Sequence, residues 1–392
     1  WLPSAIAGAA SALALGVLVR RLPRAPERAP AHDGARDDDR RRLFAWAGGA
    51  AAIGLLAAIG GNALRAGSQL VSAASEAIRL PTPAETLPPI PASTELDLPG
   101  LAAYITPNNG FYRIDTALVV PELRAADWSL RIHGLVEQEV VLTWQELVAL
   151  PLQESVTTLA CVSNPVGGDL IGNAVWLGYP VRELLARAVP TADADMVLSH
   201  SVDGFTASTP LEALTDGRDA ILAIGMNGTQ LPPEHGFPVR MVVPGLYGYV
   251  SATKWLTELE VTRFDRDTAY WTARGWSERG PVKLQSRIDV PRPGTSLAAG
   301  DTVIAGVAWQ QHVGVDGVEV QVDDGAWREA TLASAVSGDT WVQWRVPWTA
   351  QAGRHRIRCR AVSATGERQT EQEQDVAPDG ATGWHTVDVD VA

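Results

Sequence analysis

The sequence contains very little cysteine. Only Cys161 and Cys359 occur in 392 residues, and neither lies in a CxxC or CxxCH motif. Iron–sulfur clusters, cysteine-rich zinc sites and attached c-type haem need more cysteines or these spacings, so none is expected in this chain. Positive charge is also scarce, since 32 Lys and Arg face 45 Asp and Glu, for a net charge of −13. This acidic balance argues against nucleic acid as a partner.

Two stretches near the N-terminus lack charged residues, over 1–19 and 43–64. Each is about as long as a bilayer core requires, so residues 1–65 are expected to form a membrane anchor of two transmembrane helices, although a buried helix can be this apolar. The segment between them, Arg20–Arg42, has eight Arg against five acidic residues. Such an excess is typical of cytoplasmic loops, which places the rest of the chain on the extracytoplasmic side of the cell membrane. Arg41-Arg42-Leu43-Phe44 resembles a twin-arginine export signal or belongs to the same positive cluster.

Composition divides the remainder into three parts. Residues 66–100 are Pro-rich and indicate an extended linker or an arm that lies over a domain. Residues 101–281 interleave alternating strands with short helices, one of them capped by Thr143, and predict an α+β domain. Residues 282–392 contain short alternating strands and a hairpin turn at Asp323-Asp324-Gly325, and predict an immunoglobulin-like β-sandwich. Cys359 is expected on the buried face of one of these strands.

The strongest candidate for a binding site is the segment His235–Leu256, HGFPVRMVVPGLYGYVSATKWL. It places His235, Arg240 and Lys254 around an apolar strand and a Gly-containing turn. A guanidinium fork and an ammonium point charge suit an anionic, phosphate-bearing ligand. The alternative is a core strand whose charged ends reach solvent.

Cys161 ends a predicted strand over 156–160 and begins a polar, Gly-rich loop. Most free cysteines are small buried hydrophobes, which is the first alternative. A nucleophilic cysteine would need a base, for which His133, His200 and His235 are distant candidates. A single soft thiolate is sufficient, however, to ligate a transition metal that arrives already chelated by an organic ligand.

Four motifs, in this order, resemble the sulfite oxidase family of molybdopterin-dependent oxidoreductases. The resemblance runs from about Thr106 to the C-terminus, and its motifs are TPNNGFYR at 106–113, TLACVSN at 158–164, GNAVWLGYPVRELL at 172–185, and the segment at 235–256. It implies a sulfite-oxidase-type molybdopterin-binding catalytic domain over 101–281. It also implies that the β-sandwich over 282–392 is a dimerisation domain, which would make the protein a homodimer.

The resemblance implies roles for individual residues as well. Cys161 would ligate molybdenum and Arg113 would face the substrate, so these two are the expected catalytic residues. The residues expected to hold the molybdenum–molybdopterin cofactor are Asn109, Tyr112, Arg113, Cys161, His235, Arg240, Thr253 and Lys254.

The sequence departs from the family where an anion would bind. The family has two arginines in the loop after its metal-ligating Cys, and Pro165 and Val166 stand there in this chain. The Tyr of the family's Asp-Tyr pair is replaced by Trp276. The expected reaction is two-electron oxygen-atom transfer on a small substrate, a sulfite-like oxyanion or a sulfoxide.

A separate redox partner is expected to carry the electrons, because the sequence shows no haem-attachment motif. This partner would be a cytochrome or a quinone-linked protein. The alternative to an enzyme is a non-enzymatic, membrane-tethered surface protein with a vestigial cofactor site. The joint presence of Cys161, Arg240 and Lys254 argues against that alternative.

Overall fold

In a computed structural model of the chain, the structure describes residues 79–392. The membrane anchor predicted over 1–65 lies outside the described residues, as does most of the first half of the predicted linker. Within residues 79–392, no helix is long and apolar enough to cross a membrane. The described residues belong to a single compact unit.

The described part of the chain is mostly β, with short helices between the strands. Its four α-helices are α1 (Trp144–Ala149), α2 (Val181–Ala188), α3 (Glu212–Thr215) and α4 (Gly248–Ser251). Short 3₁₀ helices cover Ala92–Thr94, Asn108–Gly110, Ala125–Asp127, Pro233–His235 and Thr272–Arg274. In residues 101–281 short helices are interleaved with strands, as the α+β prediction states, but the sheets dominate because the longest α-helix has only eight residues.

The strands follow one another with short connections. In chain order they are β1 (Ser129–Gly134), β2 (Val140–Thr143), β3 (Gln153–Ala160), β4 (Ile171–Pro180), β5 (Met196–Ser201), β6 (Thr206–Pro210), β7 (Ile221–Met226), β8 (Thr229–Gln230), β9 (Arg240–Val242), β10 (Leu256–Thr262), β11 (Gln285–Val290), β12 (Ser296–Leu297), β13 (Gly300–Trp309), β14 (Val315–Val322), β15 (Arg328–Glu329), β16 (Thr331–Leu332), β17 (Val342–Ala350), β18 (Gly353–Ser363) and β19 (His385–Val391).

Local sequence explains several of these elements. Thr143 accepts a hydrogen bond from the backbone N–H of Glu146, and the Glu146 carboxylate accepts one from the backbone N–H of Thr143. This capping box satisfies backbone donors that the first turn of α1 cannot pair internally. In β18 the residues Ile357, Cys359 and Ala361 are fully buried and alternate with more exposed arginines, as the period-2 pattern predicts.

Two sheets build the part of the molecule that contains the candidate site. One has the order β2-β1-β10-β5-β6, and the other has the order β3-β4-β7-β8 with β9 also paired to β7. β3, β4 and β7 are buried along nearly their whole length, as expected for strands covered on both faces. The cleft described below lies at the end of β3 and beside β9.

Two further sheets form a β-sandwich. Their orders are β11-β13-β17-β16 and β12-β19-β18-β14-β15. Their inward-facing side chains make a second hydrophobic core, with Trp344, Ile357 and Cys359 fully buried in it. Val307, Trp309 and Trp341 instead join the core of the first two sheets. The two cores therefore meet close to residue 282, at a boundary that contains Val307, Trp309 and Trp341 and is called the seam.

Residues 80–104 lie against both parts as an arm. The backbone N–H of Ala84 donates to the carbonyl of Leu152 at 2.7 Å. Further along, the Gln343 side chain accepts from the backbone N–H of Leu96 at 2.7 Å and donates to the carbonyl of Ala102 at 2.8 Å. Of the two alternatives for the Pro-rich segment, the structure has the arm over residues 80–100.

Candidate active site

A cleft opens where the loop after β3 faces the segment that carries β9 and α4. Its volume, including the space open to solvent, is about 890 Å³. It is lined by five of the predicted site residues, namely Tyr112, Cys161, His235, Arg240 and Lys254. Residues that are up to 142 positions apart in sequence thus share one surface.

Cys161 lies directly after the last residue of β3. Its backbone N–H donates to the carbonyl of Leu170 at 2.9 Å, and the Leu170 N–H donates to the side chain of Asn164 at 2.9 Å, so the loop closes on itself. Burial raises the pKa of the Cys161 thiol, while hydrogen bonds from the backbone and side chain of Ser163 oppose the shift. In residues 79–392 no group of three or more His, Cys, Asp or Glu could hold a metal ion. Cys161 is the one cysteine of the cleft lining, so a soft protein ligand to a metal there would be its thiolate.

Arg240 is a buried cation without a carboxylate partner among residues 79–392. It begins β9, its side chain is over the ring of Trp176 with 5.0 Å to the centroid, and the residue is 5 % exposed. Its guanidinium donates to the carbonyls of His235 at 3.1 Å and Ala252 at 3.4 Å, but its Nε has no partner. Burial lowers the pKa of Arg240 to about 10. A buried charge with a free donor is an arrangement that an anionic ligand would complete.

Gly236 explains why a glycine follows His235. Its φ is +110°, in the region that favours glycine, and a Cβ there would lie 3.0 Å from the Cβ atoms of Arg240 and Lys254. Any other residue would push the stems of the two cations apart. The glycine thus lets Arg240 and Lys254 approach the same part of the cleft.

Lys254 lies directly before Trp255, and its side chain lines the cleft. Trp255 has φ +52°, a left-handed conformation that is costly for a bulky residue and occurs most often at functional sites. The Lys254 ammonium donates to the carbonyl of Glu234 at 3.0 Å and forms an ion pair with Asp115. Burial, followed by the like charge of Arg113, lowers the pKa of Lys254 to about 7.

Arg113 lies at the rim of the cleft rather than inside it. Its side chain is 42 % exposed and pairs with Asp115, whose side chain is only 5 % exposed. Asp115 thus lies between the two cations Arg113 and Lys254. The carboxylate gives these cations an internal partner, which distinguishes them from Arg240.

Tyr112 and His235 are packed around the ring of Phe111. The Tyr112 ring stacks on Phe111 at 5.3 Å, and His235 makes an edge-to-face contact with it at 5.7 Å. His235 Nε2 lies 2.9 Å from the carbonyl of Asn108, which can only accept, so the proton is on Nε2. Burial, and then the charge of Arg240, lowers the pKa of His235 and favours the neutral ring. Burial raises the pKa of Tyr112, with the neighbouring Cys161 adding to the shift.

Two predicted residues do not reach the cleft. Asn109 is exposed, whereas its neighbour Asn108 is fixed by Asn227, whose side chain donates to it at 2.7 Å. Thr253 is fully buried, and its hydroxyl is 2.7 Å from the hydroxyl of Ser199. Both residues belong to motifs that build the cleft, but their own side chains do not line it.

Several lining residues had no recognisable sequence signal. Asp115 and Asp203 supply negative charge to the cleft. In the sequence, Trp276 stands out only as a departure from the family pattern. The structure adds an aromatic wall, which consists of Phe205, Tyr249, Trp271 and Trp276. Phe205 lies between β5 and β6, Tyr249 lies in α4, and Trp271 and Trp276 lie between β10 and β11, so no single motif in the sequence contains all four.

The chain is similar to known proteins in sequence and in fold. The sequence model of a family described as "Oxidoreductase molybdopterin binding domain" matches residues 117–271. The chain is 28 % identical over 340 residues to the sulfite oxidase of Gallus gallus, covering 72 % of each chain. It is 33 % identical over 153 residues to the uncharacterized oxidoreductase YuiH of Bacillus subtilis (strain 168), covering 39 % of this chain and 74 % of that protein. The solved structure of the sulfane dehydrogenase SoxCD from Paracoccus pantotrophus has a TM-score of 0.63 at 25 % identity, over 72 % of this chain and 80 % of that chain.

Proposed function

Because this chain belongs to the sulfite oxidase family of molybdopterin-dependent oxidoreductases, we propose that it catalyses two-electron oxygen-atom transfer on a small substrate, a sulfite-like oxyanion or a sulfoxide. The chain is an oxidoreductase of the sulfite oxidase type, and its cofactor is molybdenum–molybdopterin. The identity of the substrate and the location of the enzyme outside the cytoplasmic membrane are the proposed parts.

The observation that carries the proposal is that Arg240 and Cys161 line one cleft. A buried guanidinium with an orphaned Nε fits a phosphate, and a half-buried thiol fits a soft metal. The residues present therefore fit the cofactor. Arg240 and Lys254 would bind its phosphate, while Tyr112 and the Nε2-protonated His235 would pack against the pterin.

When bound, molybdenum supplies the redox chemistry of oxygen-atom transfer. The chain's own contribution is to bind and orient the reactants. The thiolate of Cys161 would give the metal its protein ligand, and the hydrogen bonds within the loop of residues 161–170 hold that sulfur in place. Arg113, at the rim, would face the incoming substrate, with Asp115 orienting its guanidinium.

Metal and pterin analysis of the purified protein tests the proposal directly. We expect about one molybdenum and one pterin per chain, and oxygen-transfer turnover with an artificial electron donor or acceptor on a panel that includes sulfite and sulfoxides. Arg240→Met should lower the pterin content. Arg263→Met should not, because Arg263 pairs with Asp265 and does not line the cleft. Folded protein purified without molybdenum from cells that make the cofactor would contradict the proposal.

We also propose that the catalytic domain faces the extracytoplasmic side of the cell membrane. The support is the Arg excess of Arg20–Arg42 between two apolar stretches. Protease added to intact cells whose outer layer is permeable should then digest the domain. Protection that is lost only when the cytoplasmic membrane is opened would refute this orientation.

A homodimer formed through the β-sandwich, whose fold we propose to be immunoglobulin-like, and a separate cytochrome or quinone-linked redox partner complete the proposal. Light scattering of residues 79–392 should give twice the mass of one chain. A monomer across working concentrations would contradict the dimer. Reduction of the purified enzyme by its separately purified donor, followed by spectrophotometry, would test the partner.

A further inference from the structure

The aromatic wall gives the cleft an apolar side. Seven of the twenty residues that line the cleft are aromatic, whereas aromatic residues make up 6 % of the chain. Such an aromatic lining is typical of pockets that bind a partly apolar ligand.

The rings of the aromatic wall hold one another in place. Trp276 lies 6.0 Å from Tyr249 and 6.3 Å from Trp271, and Tyr270 connects Trp271 to Phe205 at 5.2 and 6.0 Å. The Tyr249 hydroxyl donates to the carbonyl of Ser277 at 2.6 Å. Because its hydroxyl is already bonded, Tyr249 presents its ring rather than its polar group, and the wall is an ordered apolar surface.

Charge gives the second, independent argument. Arg240 and Lys254 are the positively charged side chains of the lining, and Asp115 and Asp203 are the negatively charged ones, so their formal charges cancel. Lys254 already pairs with Asp115, and Arg113 at the rim pairs with the same carboxylate. A cofactor phosphate on Arg240 and Lys254 would make the sum negative. An oxyanion entering the loaded cleft would therefore meet net repulsion, whereas a neutral molecule would not.

We infer that the substrate of this cleft is a neutral sulfoxide or thioether with an apolar substituent that packs on the aromatic wall, and that Trp276 selects it over an oxyanion. This inference rests on the proposed oxygen-atom transfer and narrows its substrate class. Trp276 lies between Tyr249 and Trp271 in the wall and packs on both rings, so replacing its indole changes the middle of the apolar surface.

The reaction balances with a separate electron carrier. A sulfoxide, two protons and two electrons give the thioether and one water, with the sulfur–oxygen bond broken and the sulfur reduced. The electrons come from a one-electron carrier, which in the assay is reduced methyl viologen. In the opposite direction the thioether takes its oxygen from water, and an oxidised carrier such as ferricyanide accepts the two electrons.

The experiment uses the molybdenum-loaded full chain and compares three substrates. Methyl phenyl sulfoxide and dimethyl sulfoxide share the reacting group but differ in apolar area, and sulfite with ferricyanide is the anionic competitor. We expect kcat/KM for methyl phenyl sulfoxide to exceed that for dimethyl sulfoxide and for sulfite by at least tenfold. Isothermal calorimetry measures binding without turnover when it uses methyl phenyl sulfone and sulfate, the more oxidised analogues of the sulfoxide and of sulfite.

Three variants at position 276 separate the effect of ring area from that of charge. Trp276→Ala should lower kcat/KM for methyl phenyl sulfoxide by roughly 10- to 100-fold and affect dimethyl sulfoxide by less than about threefold, because burying a ring carries free energy of that size. Trp276→Phe should retain most of the preference. Trp276→Arg should raise kcat/KM for sulfite. Trp327→Ala, which removes an indole from the β-sandwich, is the matched control and should leave the preference unchanged.

The possible outcomes separate the two levels of the proposal. Loaded enzyme that prefers sulfite, or a preference that survives Trp276→Ala, overturns the inference while the proposed oxygen-atom transfer stands. Protein without molybdenum refutes the proposed function, and calorimetry then decides the inference alone. In that case, sulfone binding that is lost in Trp276→Ala supports the inference, whereas the absence of sulfone binding, or sulfone binding that survives Trp276→Ala, overturns it. If Trp276→Ala does not fold, Trp276→Phe and Trp276→Arg still give the comparison.

Discussion

Substitution by serine should reduce activity at Cys161 and stability at Cys359. Cys161→Ser replaces a soft, polarisable sulfur with a hard hydroxyl at the proposed metal ligand. Oxygen-transfer activity should fall by several orders of magnitude, while the circular dichroism spectrum and much of the pterin content remain, because Arg240 and Lys254, the proposed phosphate ligands, are unchanged. Near wild-type turnover with an unchanged metal spectrum would contradict the assignment of Cys161.

Cys359→Ser is the matched control for that substitution. Cys359 is fully buried in the sandwich core, with the Ser286 hydroxyl 3.2 Å from its sulfur. A more polar group there should lower the free energy of unfolding by roughly 1–3 kcal/mol. Activity per folded molecule should be retained, which separates a loss of stability from a loss of chemistry.

Replacing Arg240 should raise the stability of the cofactor-free protein while lowering the amount of cofactor that the protein retains. In cofactor-free protein its buried charge has no carboxylate partner in the part of the chain that the structure describes. Arg240→Met should therefore stabilise the cofactor-free protein by about 1–3 kcal/mol, since an uncompensated buried charge is costly. Chemical denaturation of cofactor-free protein measures the change.

Arg218→Met should have the opposite effect on the same measurement. The Arg218 side chain is 12 % exposed, pairs with Asp216 and donates to the carbonyl of Pro244 at 3.0 Å. Its removal leaves these partners unpaired and should destabilise the protein. If Arg240→Met destabilised cofactor-free protein as Arg218→Met does, the anion site would not be the reason for the buried guanidinium.

At the residue scale, sequence predicts the cations better than their surroundings. His235, Arg240 and Lys254 lie within twenty positions of one another, so one motif contains them all. The aromatic wall and Asp115 could not be predicted, because they meet Cys161 only when two sheets and several connections come together. Asn109 and Asn108 are adjacent in one motif, and only the turn of the chain decides which one is fixed.

At the scale of elements, the loop of residues 161–170 is held by the β-sandwich. Arg287 donates to the carbonyl of Gly168 at 2.8 Å, and a Cβ at Gly167 would lie 2.2 Å from the His385 ring. The His385 Nδ1 accepts from the backbone N–H of Ile288 at 2.9 Å, so this ring is neutral on that nitrogen. Two elements of the sandwich, β11 and β19, therefore fix the loop that follows Cys161.

His385 makes the stability of this contact depend on pH. Burial, and then the charge of Arg287, lowers the pKa of His385 to about 4, below its ordinary value of about 6.5. Between these values the unfolded chain binds a proton that the folded protein does not, so the free energy of unfolding falls as pH drops from about 6.5 to about 4. The contribution lost is on the order of 3 kcal/mol.

Denaturation of His385→Asn at several pH values tests this. The Asn carbonyl can still accept from Ile288 N–H but does not titrate, so the fall below about pH 6.5 should become shallower. His355 is a control of opposite sign, because its hydrogen bond to Asp323 raises the pKa of His355 and favours the charged ring in the fold. His355→Asn should lose stability chiefly at low pH. An unchanged pH profile in His385→Asn would show that this histidine is not held neutral.

Most elements were predictable where their pattern is local. The Thr143 cap and the alternation in β18 follow from neighbours in sequence. The contact of the β-sandwich with the loop of residues 161–170 was not predictable, because Arg287 and Gly168 are more than a hundred residues apart in sequence. Tertiary packing, rather than propensity, decides such elements.

At the scale of the whole molecule, the β-sandwich is tied to the core that contains the cleft. The Thr158 N–H in β3 donates to the carbonyl of Asp339 at 3.0 Å, and the Trp341 N–H donates to the Thr158 hydroxyl at 2.8 Å. The Trp341 indole also donates to the carbonyl of Tyr104 in the arm at 2.9 Å. The strand that ends at Cys161 is thus bonded to connections of the sandwich, so a boundary at residue 282 does not separate two independent folding units.

A truncation at residue 281 should therefore fail to fold. It would expose the apolar residues that pack on Trp309 and Trp341, each 2 % exposed in the full chain, and leave the β3 backbone bonds at Thr158 unpaired. Thermal melting of residues 79–281, followed by circular dichroism, should show no cooperative transition. In the longer chain of residues 79–392, Trp341→Ala should lower the free energy of unfolding by about 3–5 kcal/mol through the cavity it leaves. Trp327→Ala, away from the seam, should cost less. A truncated protein that melts cooperatively and retains molybdenum would show that the sandwich serves dimerisation alone, and that the bonds across the seam are dispensable for the site.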